Sequence, residues 1–147
     1  MTPLRYGPLP PEAAHDLTGL ELMQGILDGR FPHAPVSRVG HFRLQEVAEG
    51  LTVFVGTPKA DFYNPMGTVH GGWISTLLDS CMSCAVHTHV PRGQAYTTVE
   101  LKVNFVRPPF ENTGEMRAEG RLLDASGKLY AHGTVTCMVF PMPSAKA

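Results

Sequence analysis

The sequence predicts an α+β fold in which an antiparallel sheet packs on one long central helix, with a short helix near the N-terminus. Three observations predict it. From Gly71 onward, Trp73, Ile74, Leu77, Leu78, Cys81, Met82, Ala85 and Val86 recur at spacings of one, three and four, which is a wide helical stripe. From Ala95 to Val106 the residues alternate, with Val99, Leu101, Val103 and Phe105 on one side and Glu100, Lys102 and Asn104 on the other. Further extended runs flank these two segments, separated by turns rich in glycine and proline.

Residues 1–17 are proline-rich and show no period, so they are expected as a flexible surface arm. Thr18 is placed to cap a short helix whose face is Leu20, Leu22, Met23, Ile26 and Leu27, and Gly29 to end it. The FPHAP stretch that follows reads as a proline-broken connection. His41 to Val47 and Leu51 to Gly56 form a hairpin about Glu49-Gly50. The central helix runs to about His87, with Pro91 as its stop and Arg92-Gly93 as the turn. Three strands are expected after it: Ala95 to Val106, Glu115 to Leu123, and Lys128 to Phe140. Asp124 to Gly127 turns between the last two, and a frayed tail follows.

Composition narrows the function. The 147 residues, 43% hydrophobic, are enough for one domain over 1–147 with a single core. A net charge of −1, with no basic run, lacks the electrostatic footprint of nucleic-acid binding. No apolar run approaches membrane-spanning length, and the N-terminus carries no secretory-type apolar core, so no membrane partner and a cytoplasmic location are expected. Three cysteines, an odd number, fit a reducing compartment.

The chemistry concentrates in Asn64 to Ser83, NPMGTVHGGWISTLLDSCMS. Asp79 is the only charge on an otherwise apolar helix, in line with Ser75 and Ser83 at i−4 and i+4. A carboxylate in such surroundings must be paired or hydrogen-bonded. Catalysis is one reason to keep it, and a carboxylate merely satisfied by Ser75 or Ser83 is the alternative. Gly71 and Gly72, lacking Cβ atoms, let a ligand approach backbone N–H groups that the first helical turn leaves unpaired. Those donors, with the helix dipole, suit a polarised carbonyl or a developing oxyanion.

Asn64, Gly67, the His70-Gly71-Gly72 triplet, Leu77 and Asp79, together with TVELKVNF from Thr98 to Phe105, resemble the signature of the hotdog-fold acyl-CoA thioesterases of the PaaI-like (phenylacetate-pathway) branch. The resemblance spans roughly residues 40 to 140. It implies a hotdog fold, a homodimer or dimer of dimers that covers the sheet edge, and hydrolysis of a small, aromatic or medium-chain acyl-CoA. Coenzyme A enters as part of the substrate, with no other cofactor and no metal. About 12 Å of helix separates Gly71 from Asp79, so one chain's pair cannot bracket one carbonyl. The resemblance implies antiparallel helices in which Gly71 of one subunit faces Asp79 of the other.

In that arrangement the Gly71 N–H polarises the thioester and Asp79 is base or nucleophile. Asn64 orients water, holds the loop, or simply forms its turn. His70 is either a general base or a ring that ties down the helix start. Thr98 matches a position where related thioesterases carry Ser or Thr near the acid, although strict alternation puts Thr97 on the Val99 side, so a bulge is required if that side faces the helix. Ser83 is the competing hydroxyl. Gly72 belongs to the binding cradle, and Arg107, Lys102 and Arg92 are candidate cations for the CoA phosphates.

Other patterns are set aside. Cys81 and Cys84 form a CxxC inside the apolar helix with no second pair, which fits core packing. His87 and His89 form an HxH at the helix end without a third ligand, where histidine also suits the dipole. No GxGxxG, P-loop or GxSxG is present, against dinucleotide, NTP and serine-hydrolase chemistry. Two further functions stay in view: a hotdog dehydratase or hydratase, and a non-catalytic acyl-CoA binding or sensing module.

Overall fold

The computed structural model describes residues 3–142. Four α-helices, Pro11–Asp16 (α1), Gly19–Leu27 (α2), Pro35–Val39 (α3) and Gly71–His87 (α4), accompany six strands. The strands are Phe42–Ala48 (β1), Leu51–Gly56 (β2), Gln94–Phe105 (β3), Met116–Ala118 (β4), Arg121–Leu123 (β5) and Leu129–Pro141 (β6). They form one sheet in the order β1-β2-β4-β5-β6-β3, and every neighbouring pair is antiparallel. The sheet wraps α4, whose Leu77, Leu78 and Cys81 are completely buried against Phe54, Met116, Ala118, Leu122 and Ala131. Each such leucine contributes roughly 2 kcal/mol of burial. No helix among the described residues is long and apolar enough to cross a membrane.

The capped helix forms as expected. Thr18 Oγ1 accepts from the Glu21 N–H (3.2 Å) while Glu21 Oε2 accepts from the Thr18 N–H (2.8 Å), a reciprocal capping box. Gly29 follows it at φ +78°. The β1–β2 hairpin turns at Gly50, φ +74°, and its Gly50 N–H donates to Thr88 Oγ1 at the end of α4 (2.8 Å).

Three expectations are corrected. The described part of the expected arm is bonded to the body: Gly7 N–H donates to His33 O (2.9 Å), His33 N–H to Arg5 O (2.8 Å) and Gly93 N–H to His15 O (3.0 Å). Prolines open α1 and α3 rather than breaking the chain, because Pro at the first helical position sacrifices an N–H that has no partner anyway. The single strand expected from Glu115 to Leu123 is two strands, β4 and β5, paired through Ala118↔Leu122. Between them Gly120, at φ +84°, reverses the chain, and its N–H donates to the Cys81 thiol (3.2 Å). Residues 1–2 and the expected tail from residue 143 onward lie outside the described residues.

Candidate active site

The loop before α4 is folded by its own side chains. Asn64 Oδ1 accepts from the Met66 N–H (2.9 Å) and the Thr68 N–H (3.3 Å), and its amide donates to Thr68 Oγ1 (2.8 Å). These are the bonds of a turn former. Gly67 completes the turn at φ +79°. Val69 N–H then donates to Pro109 O (3.1 Å) and His70 N–H to Phe62 O (2.7 Å), which fixes where the helix starts.

His70 is the N-cap of α4. Its Nδ1 accepts from the Gly72 N–H at 2.8 Å, so the ring satisfies one of the orphan donors of the first turn. Gly72 is required by this cap, since a Cβ there would lie 2.9 Å from His70 Nδ1. Gly71 lies close to Phe105: a Cβ on it would stand 3.1 Å from Phe105 Cζ, so the exposed ring would have to give by a few tenths of an ångström. Among the described residues no acceptor bonds the Gly71 N–H. A cavity of about 350 Å³ opens on it, walled by Ile74, Phe105, Val106 and Pro108, with Arg107 in its lining.

Farther along α4, Asp79 is half-buried and its Oδ1 accepts from Thr98 Oγ1 at 2.9 Å. Neither Ser75 nor Ser83 supplies that bond, so the alternative partners expected for the carboxylate are replaced by Thr98. The register explains how Thr98 arrives. In the β3–β6 pair Thr98↔Cys137 is followed by Glu100↔Thr136, which leaves a bulge at Val99. Thr98 therefore shares the α4-facing side with Val103, which packs on the core, and with Phe105 at Gly71. Val99 itself is 57% exposed.

The polar line continues toward the helix end. Ser83 is buried, and the His87 ring lies 4.7 Å from that of Tyr96. Burial pushes the Tyr96 hydroxyl up and holds His87 below the ordinary histidine range, outweighing the helix dipole expected to favour its charge. Burial also pushes the Cys81 thiol up to about 11 and the Cys84 thiol up to about 12, so both stay protonated and act as packing groups. His87 turns to Tyr96 while His89 reaches Glu49 at 3.6 Å, so the two imidazoles of the HxH have separate partners.

Of the three candidate cations only Arg107 lies at the helix start. Its Nε donates to Leu129 O, and its guanidinium sits 5.7 Å from the Tyr130 ring centre. Arg92, beyond the opposite end of α4, pairs with Glu21 at 3.1 Å. Lys102 alternates with Val103 and so points away from α4. Gly71 and Asp79 remain eight residues apart on one helix, about 12 Å by its rise. The structure thus joins Asp79 to Thr98 and His70 to Gly72, but not the acid to the amide.

Residues 66–131 match the model of the thioesterase superfamily. Among solved structures, a phenylacetic acid degradation-related protein from Ralstonia eutropha JMP134 is 26% identical, with TM-score 0.69 over 79% of this chain and 98% of that one. The phenylacetic acid degradation protein PaaI of Thermus thermophilus, solved as a point mutant, is 25% identical, with TM-score 0.60 over 74% of this chain and 99% of its own. The PaaI protein of E. coli, 18% identical with TM-score 0.59 over 74% of this chain and 84% of that one, shares the fold. No curated protein matches the chain. The long helix wrapped by an antiparallel sheet is the hotdog fold, and its central segment resembles the thioesterase superfamily. By the same comparisons the chain is similar to PaaI-type proteins, the resemblance that its Asn64, His-Gly-Gly and Asp79 pattern implied.

Proposed function

We propose that the protein hydrolyses the thioester of an acyl-CoA at a site shared between two protomers. The observation that carries this is Asp79, the one acid of α4, held by Thr98 on the helix-facing side of β3. The Gly71 N–H donates to the thioester oxygen as negative charge grows on it. Asp79 of the partner either takes the proton of an attacking water or attacks the carbonyl carbon itself. Both routes break the C–S bond, consume one water, and release one carboxylic acid and one CoA thiol. Asn64 holds the loop that sets Gly71, His70 caps the helix, and Arg107 meets the anionic arm of CoA.

The homodimer follows from the sheet. β3 is its last strand, so among the described residues one side of a twelve-residue strand has no partner. Leu101 and Phe105 on that strand are 37% and 56% exposed, an apolar face suited to a second copy. The proposed setting is the cytoplasm, where the three free thiols stay reduced.

Free thiol release from a panel of short, medium and aromatic acyl-CoAs tests the reading. Turnover of at least one member, abolished in Asp79→Asn, supports hydrolysis. Binding across the panel with no turnover supports the non-catalytic module instead.

A further inference from the structure

A second cavity flanks the start of α4 on the side away from Phe105. It has about 320 Å³ and is walled mainly by the apolar Val36, Val39, Phe42, Phe62 and Trp73, with His70, Gly72 and Thr76 also in its lining. Its walls are braced. Trp73 Nε1 donates to Gly40 O (2.8 Å), tying α4 to the α3–β1 junction, and the Phe62 and Trp73 rings stack at 6.2 Å. Of the cavity's apolar walls, those from α3 stand in the open, with Val36 48% and Val39 65% exposed. Among the described residues nothing covers these two valines. A ligand seated between α3 and α4 would cover both.

The two cavities differ in chemistry and lie at consecutive residues of the helix start, one lined by Gly71 and the other by Gly72. The Gly71 cavity contains a guanidinium, and the Gly72 cavity contains none. A substrate whose carbonyl sits on the Gly71 N–H has a charged arm and an apolar tail to place, and the cavities offer one position for each. We propose that the apolar tail of the acyl group occupies the α3–α4 cleft, with Val36 and Val39 as the residues that set acyl selectivity. This rests on the thioesterase reading above and adds the location of the tail. All of its apolar walls except Trp73 lie on residues 36–62, outside the segment that matches the superfamily model, so selectivity would be a property of this chain rather than of the shared domain.

The test is Val39→Trp, an exposed position where a large ring fills the cleft without entering the core. Hydrolysis of acetyl-CoA, hexanoyl-CoA and phenylacetyl-CoA is compared with wild type, and binding of the same three is measured calorimetrically in the Asp79→Asn background with and without the filler. The kcat/KM ratio of the larger acyl groups to acetyl should fall by at least about tenfold, and the affinity ratio should fall in parallel. Val39→Ala should move both ratios the other way, and the two arms show whether aryl or linear tails fit better. Equal losses for all three substrates, or unchanged ratios, overturn the placement while hydrolysis stands. If no substrate turns over but the binding ratio falls, the cleft assignment holds and the hydrolase reading fails. Absence of binding by all three overturns both.

Discussion

Asp79 and Thr98 stand nineteen residues apart in the chain and meet at 2.9 Å, so the site depends on one register detail in β3. Replacing Asp79 by Asn keeps the shape and the Thr98 contact but removes the base or nucleophile. The expected result is a fall in kcat of at least about a hundredfold, roughly 3 kcal/mol of transition-state stabilisation, with assembly unchanged. Thr98→Val should cost about tenfold in kcat/KM by freeing the carboxylate to rotate, and Thr98→Ser should restore most of it. Equal activity of the Val and Ser variants would show that the hydroxyl does not position the acid. His87 makes a separate prediction. Burial lowers its folded-state pKa, so below about pH 6.5 the unfolded chain binds a proton that the folded chain refuses. Its contribution is therefore complete above that pH and is lost as pH falls toward the folded value; His33, depressed by burial for the same reason, adds to the slope. In His87→Phe, which keeps a ring against Tyr96, the loss of Tm between about pH 7 and pH 5 should be smaller than in wild type. At this scale the acid was legible because a lone charge on an apolar helix needs a reason. Its partner Thr98 was legible only through the family resemblance, because alternation points it outward and only the bulge which that placement required turns it in.

The start of α4 is an element whose three residues have three distinct duties: His70 caps, Gly72 makes room for the cap, and Gly71 keeps a free N–H beside Phe105. His70→Ala should lower stability by about 1 kcal/mol, and His70→Asn, a favoured cap, should recover most of it. The Asn variant should also keep kcat within about tenfold of wild type, whereas loss of a general base would cost roughly a hundredfold or more. Chemical denaturation and steady-state kinetics on the two variants measure both effects. Elements with strong periodicity, α4 and β3, were legible to within a residue or two of their ends. Two failures have identifiable causes. Glu49-Gly50 reads as a turn because it separates two long runs, while the same dipeptide at Glu119-Gly120 separates strands of three residues each, too short to show a period. Prolines at Pro11 and Pro35 read as breakers, although each opens a helix. The second of these matters for function, since the helix it opens supplies the bare wall of the apolar cleft.

At the scale of the whole molecule, one sheet and one helix leave a free strand edge, a half-covered acid and an unbonded amide about 12 Å apart by helix rise. A second copy would resolve all three together. Sedimentation or light scattering should therefore give a dimer or a dimer of dimers, and Leu101→Glu, on the same strand but outside the Gly71 cavity, should shift the species toward monomer. The fold class was legible from periodicity and element order, and the eight helical residues between Gly71 and Asp79 are what motivate the proposal of a two-chain site. The most direct measurement mixes two defective variants. Gly71→Pro removes the N–H donor at a position where proline is compatible with a helix start, because His70 before it is already extended (φ −61°, ψ 137°) and the exposed Phe105 ring need shift only slightly for the added Cβ. Asp79→Asn removes the acid. Each homodimer should be inactive, and a refolded equimolar mixture should recover about one quarter of wild-type activity, because half the dimers are hybrids and each hybrid carries one intact site. A mixture no more active than its two components would show that acid and amide do not come from different protomers.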